Sequence, residues 1–244
     1  MRRATSRNSN LTCVSLVIMD PPNMDSSAWH WDRLHENPRF RPTYPHDHVV
    51  RFLITNRGRL EKPASYRFLD IGAGAGRHMK LAAELGFVPY GVDVSPVGLR
   101  HADQRLQEMG VPYGLAQASM LALPFVDGCF DVVLSFGVFY YGTTEDMKHA
   151  INEARRVMVR GGRLFVVVRT THDFRFGKGE EIGPNTFRLK IKDTHEYDTV
   201  QHFVDAADIE ALFAGFSSVS FEKTETTFVN RSRLDSDWLI TSEK

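Results

Sequence analysis

The sequence predicts an α/β fold: a seven-stranded, mostly parallel sheet with helices on both faces and an antiparallel C-terminal strand. Three observations carry that prediction. Short apolar runs alternate with helix-length segments from Tyr66 to Arg169, which is the pattern of βαβ units. The first run, Phe68-Leu69-Asp70-Ile71, leads into Gly72-Ala73-Gly74-Ala75-Gly76-Arg77, a glycine turn between a strand and a helix. Two strand-like segments, 219–226 and 238–242, close the chain with no helix between them, so they pair antiparallel.

Each element follows in order. Trp29, Trp31 and Leu34 mark a short helix, Pro38, Pro42 and Pro45 a loop, and Val49, Val50, Phe52 and Leu53 the apolar stripe of a second helix. A polar turn at 58–65 precedes the first strand, 66–71. A helix from Arg77 to Leu85 leads to a second strand, 88–94. Ser95-Pro96 then supplies an N-cap and first helical residue, and Gly110 closes that helix. A short third strand lies at 112–117, and Phe130–Phe136 is apolar enough for a buried parallel strand. A helix over 144–159 ends at Gly161-Gly162, and 163–169 is the fifth strand. The stretch 170–204 reads as irregular, and segments of that length inside a domain serve as lids or carry structure of their own. Asp205 caps a helix over 206–214.

Composition narrows the class. Lysine plus arginine equals aspartate plus glutamate at 30 each, which argues against a broad nucleic-acid footprint. Cys13 and Cys129 have neither a disulfide framework nor a zinc spacing, which suits a reducing, cytoplasmic setting and predicts no metal. No apolar run approaches the roughly 20 residues of a membrane span. Residues 1–23 read as a disordered extension ahead of Met24, with organellar targeting by the basic, acid-free segment 1–19 as the alternative. One domain over 24–244 is expected, with an N-terminal helical cap (24–60) and a lid or acceptor insertion (170–204), as a monomer or homodimer.

The glycines at 72, 74 and 76 let the backbone take positive φ and approach a flat ligand at the carboxyl ends of the strands. The dinucleotide fingerprint needs a glycine at 77, where this chain has Arg77. Asp93 ends the second strand about 20 residues beyond the loop, where a carboxylate can accept both ribose hydroxyls of a nucleoside.

The glycine segment resembles motif I of the class I S-adenosylmethionine (SAM) dependent methyltransferases, a Rossmann-like family. Three later stretches resemble the same family. Gln117-Ala118-Ser119-Met120-Leu121-Ala122-Leu123-Pro124-Phe125 is similar to its adenine-side segment, with Ser119 in place of an aspartate. Phe130-Asp131-Val132-Val133-Leu134-Ser135-Phe136 matches its fourth strand. Val157-Met158-Val159-Arg160-Gly161-Gly162-Arg163-Leu164 matches the entry to its fifth, with Arg160 at a usual proline. The architecture loosely resembles type 11 members that act on small metabolites.

The resemblance implies SAM as methyl donor, S-adenosylhomocysteine (SAH) as product, and a small-molecule methyl acceptor. Asp70 and Gly72, Gly74 and Gly76 would hold the aminocarboxypropyl end, Asp93 the ribose, and Ser119 and Met120 the adenine, with Val94 a further cofactor contact. Ser135 and Phe136 would lie near the methyl group. The segment Trp29-His30-Trp31-Asp32-Arg33 and Tyr44 would cover the site, with Tyr44 as a cofactor contact. Because the sulfonium is already activated, the protein's main task is in-line positioning of an O, N or C nucleophile. His172, just past the fifth strand, is a candidate general base, and Phe139, Tyr140 and Tyr141 are candidates to line an acceptor pocket. Arg175, Lys178, Arg188 and Lys190 could recognise an anionic or polar acceptor. No D-P-P-Y follows the fourth strand and no Pro-Cys pair exists, which disfavours adenine-amino and cytosine-C5 chemistry. The competing readings are a non-catalytic SAM or nucleoside-binding protein and an NAD-dependent oxidoreductase.

Overall fold

A computed structural model describes residues 26–57, 66–192 and 194–244. The expectations for 1–23 and for the turn at 58–65 lie outside the described residues. Helices α1 (Ser26–Glu36) and α2 (Asp47–Arg57) precede an alternating series. That series is β1 (Arg67–Ile71), α3 (Arg77–Glu84), β2 (Val88–Asp93), α4 (Pro96–Gln107), β3 (Gly114–Gln117), β4 (Phe130–Phe136), α5 (Thr144–Val157) and β5 (Met158–Arg169). Then come β6 (Gly179–Gly183), β7 (Thr186–Leu189), β8 (Val200–His202), α6 (Ala206–Leu212), β9 (Ser218–Phe228) and β10 (Arg233–Glu243).

Seven strands form one sheet in the order β3-β2-β1-β4-β5-β10-β9. The first five are mutually parallel, and β10 runs antiparallel between β5 and β9. Strand side chains alternate between faces, so both faces of the parallel strands need cover. On one face Val49, Phe52 and Leu53 of α2 and Met79 of α3 pack with Phe68, Val132, Leu134, Phe165 and Val167. On the other, Met147, Ile151 and Ala154 of α5, Ile209 of α6 and its C-cap Phe213 pack with Leu69, Val133, Leu164, Val166 and Ile240. Asp70 and Phe136 keep step with the first set, and Ser135 with the second.

Local chemistry starts the helices where the sequence places them. The Ser95 hydroxyl accepts from Gly98 N at 3.0 Å, with Pro96 in the first turn. Thr143 and Asp146 form a reciprocal capping box on α5. Asp205 accepts from Ala207 N at 3.0 Å on α6.

The structure corrects several boundaries. Helix α5 stops at Val157, and Met158 is already extended and paired with Phe130, so Gly161-Gly162 lies inside β5 rather than before it. The chain end holds that bend: Gly161 N donates to Lys244 O at 2.8 Å and Lys244 N to Gly162 O at 3.0 Å. Strands β9 and β10 reach 11 residues each, beyond 219–226 and 238–242. The stretch 170–204 is not irregular. It holds a second antiparallel sheet, β6-β7-β8, closed over Phe187, Leu189 and Phe203 with Phe176 beside them. Strands of three to five residues are too short to print a clear alternation on the sequence.

Candidate functional site

The carboxyl ends of β1 and β2 form one wall of the site. Gly72 N and Ala73 N both donate to Val92 O, at 2.8 and 3.0 Å, which folds the glycine loop across the end of β2. Gly72 has φ +80° and a Cβ there would lie 2.2 Å from Val138 Cγ2. Gly76, the N-cap of α3 at φ +74°, would meet Ala102 of α4 at 2.9 Å. These two glycines therefore answer to backbone conformation and close packing.

Asp70 sits behind the loop at 1 % exposure, and its Oδ2 has no hydrogen-bond partner. His78 Nδ1 is 3.8 Å away. Burial pushes the Asp70 carboxyl up to about 7; the Arg77 guanidinium opposes the rise and Asp93 adds to it. A buried acceptor without a donor is costly, so this oxygen is placed for one.

Asp93 is engaged on both oxygens. Oδ2 accepts from Gly74 N at 2.7 Å and Oδ1 from Ser95 N at 2.8 Å. Burial raises its pKa, against the lowering by the Ser95 amide, His35 and the Gly74 amide. The residue therefore ties the glycine loop to the turn that opens α4, and any ribose contact uses its remaining lone pairs.

Helix α1 closes over this wall. Asp32 Oδ1 accepts from the Ser95 hydroxyl at 2.6 Å and from Val97 N at 3.1 Å, which places a carboxylate on the N-terminus of α4. His35 Nδ1 lies 3.0 Å from Ser95 Oγ, and its ring fills the space beside Gly74 and Gly98. Trp31 meets Tyr141 edge-on at 4.8 Å, and Phe40 contacts His195 at 5.0 Å, so the N-terminal cap touches both sides of the site.

The other expected residues are distributed unevenly. Val94 follows Asp93 and its carbonyl accepts from Gln117 Nε2 at 3.1 Å. Ser119 Oγ accepts from Leu121 N at 3.2 Å, a turn-forming bond, and Met120 packs half-buried against the core. Ser135 is fully buried with its Oγ unpartnered. The Phe136 ring lies 4.7 Å from His46, 5.3 Å from His78 and 5.4 Å from the Arg77 guanidinium. Tyr44 is 82 % exposed. His172 is also exposed, with Glu225 of the edge strand β9 at 3.8 Å, so it faces away from the end of β4.

The ends of β4, β5 and β10 form the second wall. A cavity of ≈ 90 Å³ opens there, lined by residues that include Phe136, Gly137, Tyr140, Arg169 and Asp237. Arg169 pairs with Glu196 and Gln201, and its guanidinium stacks 4.5 Å above Tyr140. Arg175 Nε bonds Glu196 at 2.5 Å, while its Nη1 reaches Asp173 at 3.0 Å and Asp235 at 2.9 Å. The two guanidiniums hold the Glu196 carboxyl below its ordinary value although burial works the other way. Arg175 is thus bound into the wall and is not a free cation awaiting an acceptor. Lys190 pairs with Asp198 at the surface, and Arg188 lies in β7.

His46, Asp47 and His48 bring one metal-ligating atom each within 4.8 Å of one another, at the start of α2. The two imidazoles are stacked at 5.2 Å with 25° between their planes.

His35, Arg77 and His78 are site-building residues outside the motifs, and Asp32, expected only as part of the covering segment 29–33, clips α1 to α4. Arg77 was legible as the residue in the missing-glycine position. The histidines and Asp32 carried no spacing signal, because their partners lie 60 or more residues away or on a different strand.

A methyltransferase domain family model matches residues 69–166. The demethylmenaquinone methyltransferase of Thermus thermophilus is 36% identical over 111 residues, covering 44% of this chain and 49% of that protein. The chain thus spans about half the length of the curated relatives it matches. A SAM-dependent methyltransferase of Methanosarcina mazei superposes with TM-score 0.64 at 19% identity, over 78% of this chain and 96% of that one. The 1,6-didemethyltoxoflavin-N1-methyltransferase of Burkholderia thailandensis, solved with 1,6-didemethyltoxoflavin and SAH, superposes with TM-score 0.61 at 13% identity, over 89% and 88%. Sheet order and glycine loop agree with these matches: residues 69–166 match a methyltransferase domain, and the chain has the fold of the SAM-dependent methyltransferases it superposes on.

Proposed function

We propose that the protein transfers a methyl group from SAM to a small-molecule acceptor by in-line displacement. The observation that carries this reading is the buried, unpartnered Asp70 oxygen behind a positive-φ glycine loop, with Asp93 at the neighbouring strand end. That combination suits a zwitterionic nucleoside: a carboxylate for its ammonium, open backbone for its chain, and an acid at ribose distance along the sheet edge. SAM supplies an electrophilic methyl on a sulfonium, so no residue need activate the donor.

The chain's own residues then bind, orient and exclude water. Asp70 takes the ammonium and stays ionised in its company. Asp93, fixed by two amides, offers its outer lone pairs to the ribose beside Val94. Ser119 and Met120 border the adenine side, and Phe136 covers the gap between the two walls. Helix α1, clipped to Ser95 and Val97, shields the pocket from solvent. Tyr44 and His172, both solvent-facing, are left without a part in this arrangement.

Calorimetry with SAM, SAH and NAD, followed by a labelled-methyl assay on fractionated metabolites, tests the reading. SAM and SAH should bind and NAD should not. NAD binding without SAM binding overturns it, and SAM binding without any transfer leaves the non-catalytic alternative standing.

A further inference from the structure

The cavity at the ends of β4, β5 and β10 has an unequal charge balance. Its lining contains two guanidiniums, Arg169 and Arg175, and three carboxylates, Asp173, Asp235 and Asp237. Both guanidiniums are already spent on Glu196, and Arg175 also on Asp173 and Asp235. Asp237 is different. Among the described residues its carboxylate has no hydrogen bond and no ion pair, although it sits directly across from Arg169 in the β5–β10 register. Its side chain follows the same face as Val167 and Phe136, towards α2 and the glycine loop rather than towards α5.

An unpaired anion beside two aromatic rings is a poor place for a carboxylate or phosphate and a good one for a nitrogen cation or N–H donor. The cavity exceeds the ~10–15 Å³ that one water centre requires, so a small organic group can enter it. Resting on the SAM reading above, we propose that Asp237 is a catalytic residue that binds and deprotonates the methyl acceptor, and that the acceptor is a small amine. The ammonium of the acceptor gives one proton to the Asp237 carboxylate, which frees the nitrogen lone pair. The N–CH₃ bond forms as the S–CH₃ bond breaks, and the S–C electron pair stays on sulfur. Asp237 then returns its proton to water and the methylated ammonium leaves.

The surroundings suit a proton acceptor. Burial raises the Asp237 carboxyl to about 6; Arg169 and Arg175 pull it down, while Asp173 and Asp235 push it up. Tyr140, facing the same cluster, is held above its ordinary value by burial and stays protonated.

The test uses the whole chain saturated with SAH, with benzylamine and benzoate as probes of opposite charge. Calorimetry should find benzylamine bound at least about tenfold more tightly than benzoate. Its affinity should fall as pH drops through about 6, where Asp237 takes up a proton. Asp237→Asn should cost benzylamine about tenfold and abolish that pH dependence, while Asp237→Glu keeps both and SAH affinity is unchanged in either variant. Benzoate bound as well as benzylamine, no benzylamine binding, or an Asp237→Asn variant that behaves as the parent each overturns the proposal. Failure of the parent protein to bind SAH would instead sink the SAM reading itself.

Discussion

The two walls of the site are built on opposite principles. The wall at β1 and β2 is made by a few contiguous residues, its contacts are mostly backbone, and it leaves one buried carboxylate oxygen unsatisfied. The wall at β5, β10 and the β6–β8 insertion draws side chains from positions 169 to 237, and its charges are largely neutralised by one another. The first is therefore strained towards a ligand, while the second is a self-supporting scaffold with one open acid. The cap made by α1 and the turn at Pro38–Phe40 contacts both walls, through Ser95 on one side and His195 on the other.

Arg169→Met is the largest way to break the contrast. It strips one guanidinium from the nearly fully buried Glu196 and should cost roughly 3 kcal/mol of stability, read by urea denaturation. SAH affinity in the folded fraction should stay within about twofold, because the β1–β2 wall does not use this network. If SAH affinity falls together with stability, the two walls are one unit.

Asp70→Asn should have the next largest effect and the opposite sign on stability. The carboxyl is near 7 when folded and near 3.8 when unfolded, so the folded state holds the extra proton. Its contribution to stability is intact below about 4 and is lost as pH rises through 7. The ligand-free Asn variant should therefore melt higher than the parent at pH 8 and lose that advantage towards pH 4. SAH affinity should drop about a hundredfold at pH 8, where the parent's affinity is greatest, since ammonium binding needs the ionised acid. A variant that melts lower at pH 8, or binds SAH normally, removes Asp70 from the role assigned to it.

Asp32→Ala should have the smallest effect. It removes a carboxylate from the N-terminus of α4 and should cost about 1 kcal/mol, with SAH leaving faster by stopped-flow while its site chemistry is untouched. An unchanged release rate would mean that α1 is a packing element and not a cover.

Residue by residue, the first wall was readable and the second was not. Gly72, Gly74, Gly76, Asp70 and Asp93 announce themselves because a tight strand-to-helix turn restricts both residue type and spacing over a short window. Ser119 stands in the expected segment, and its hydroxyl, which accepts from Leu121 N, keeps its O–H and a second lone pair. His172 follows β5 as expected, and its exposed imidazole stands beside Glu225 of the edge strand β9. The basic residues of 170–204 suggested anion recognition, whereas Arg175 is bound to three carboxylates.

By itself, then, the sequence determined the order of strands and helices through β5, the glycine turn and the two acids that frame it. These depend on periodicity and local backbone geometry, which act between near neighbours. Only the tertiary structure decided which charges are spent and which are free. Arg169, Glu196 and Asp237 are separated by tens of residues, and desolvation, which sets the cost of an unpaired group, exists only once the chain has folded.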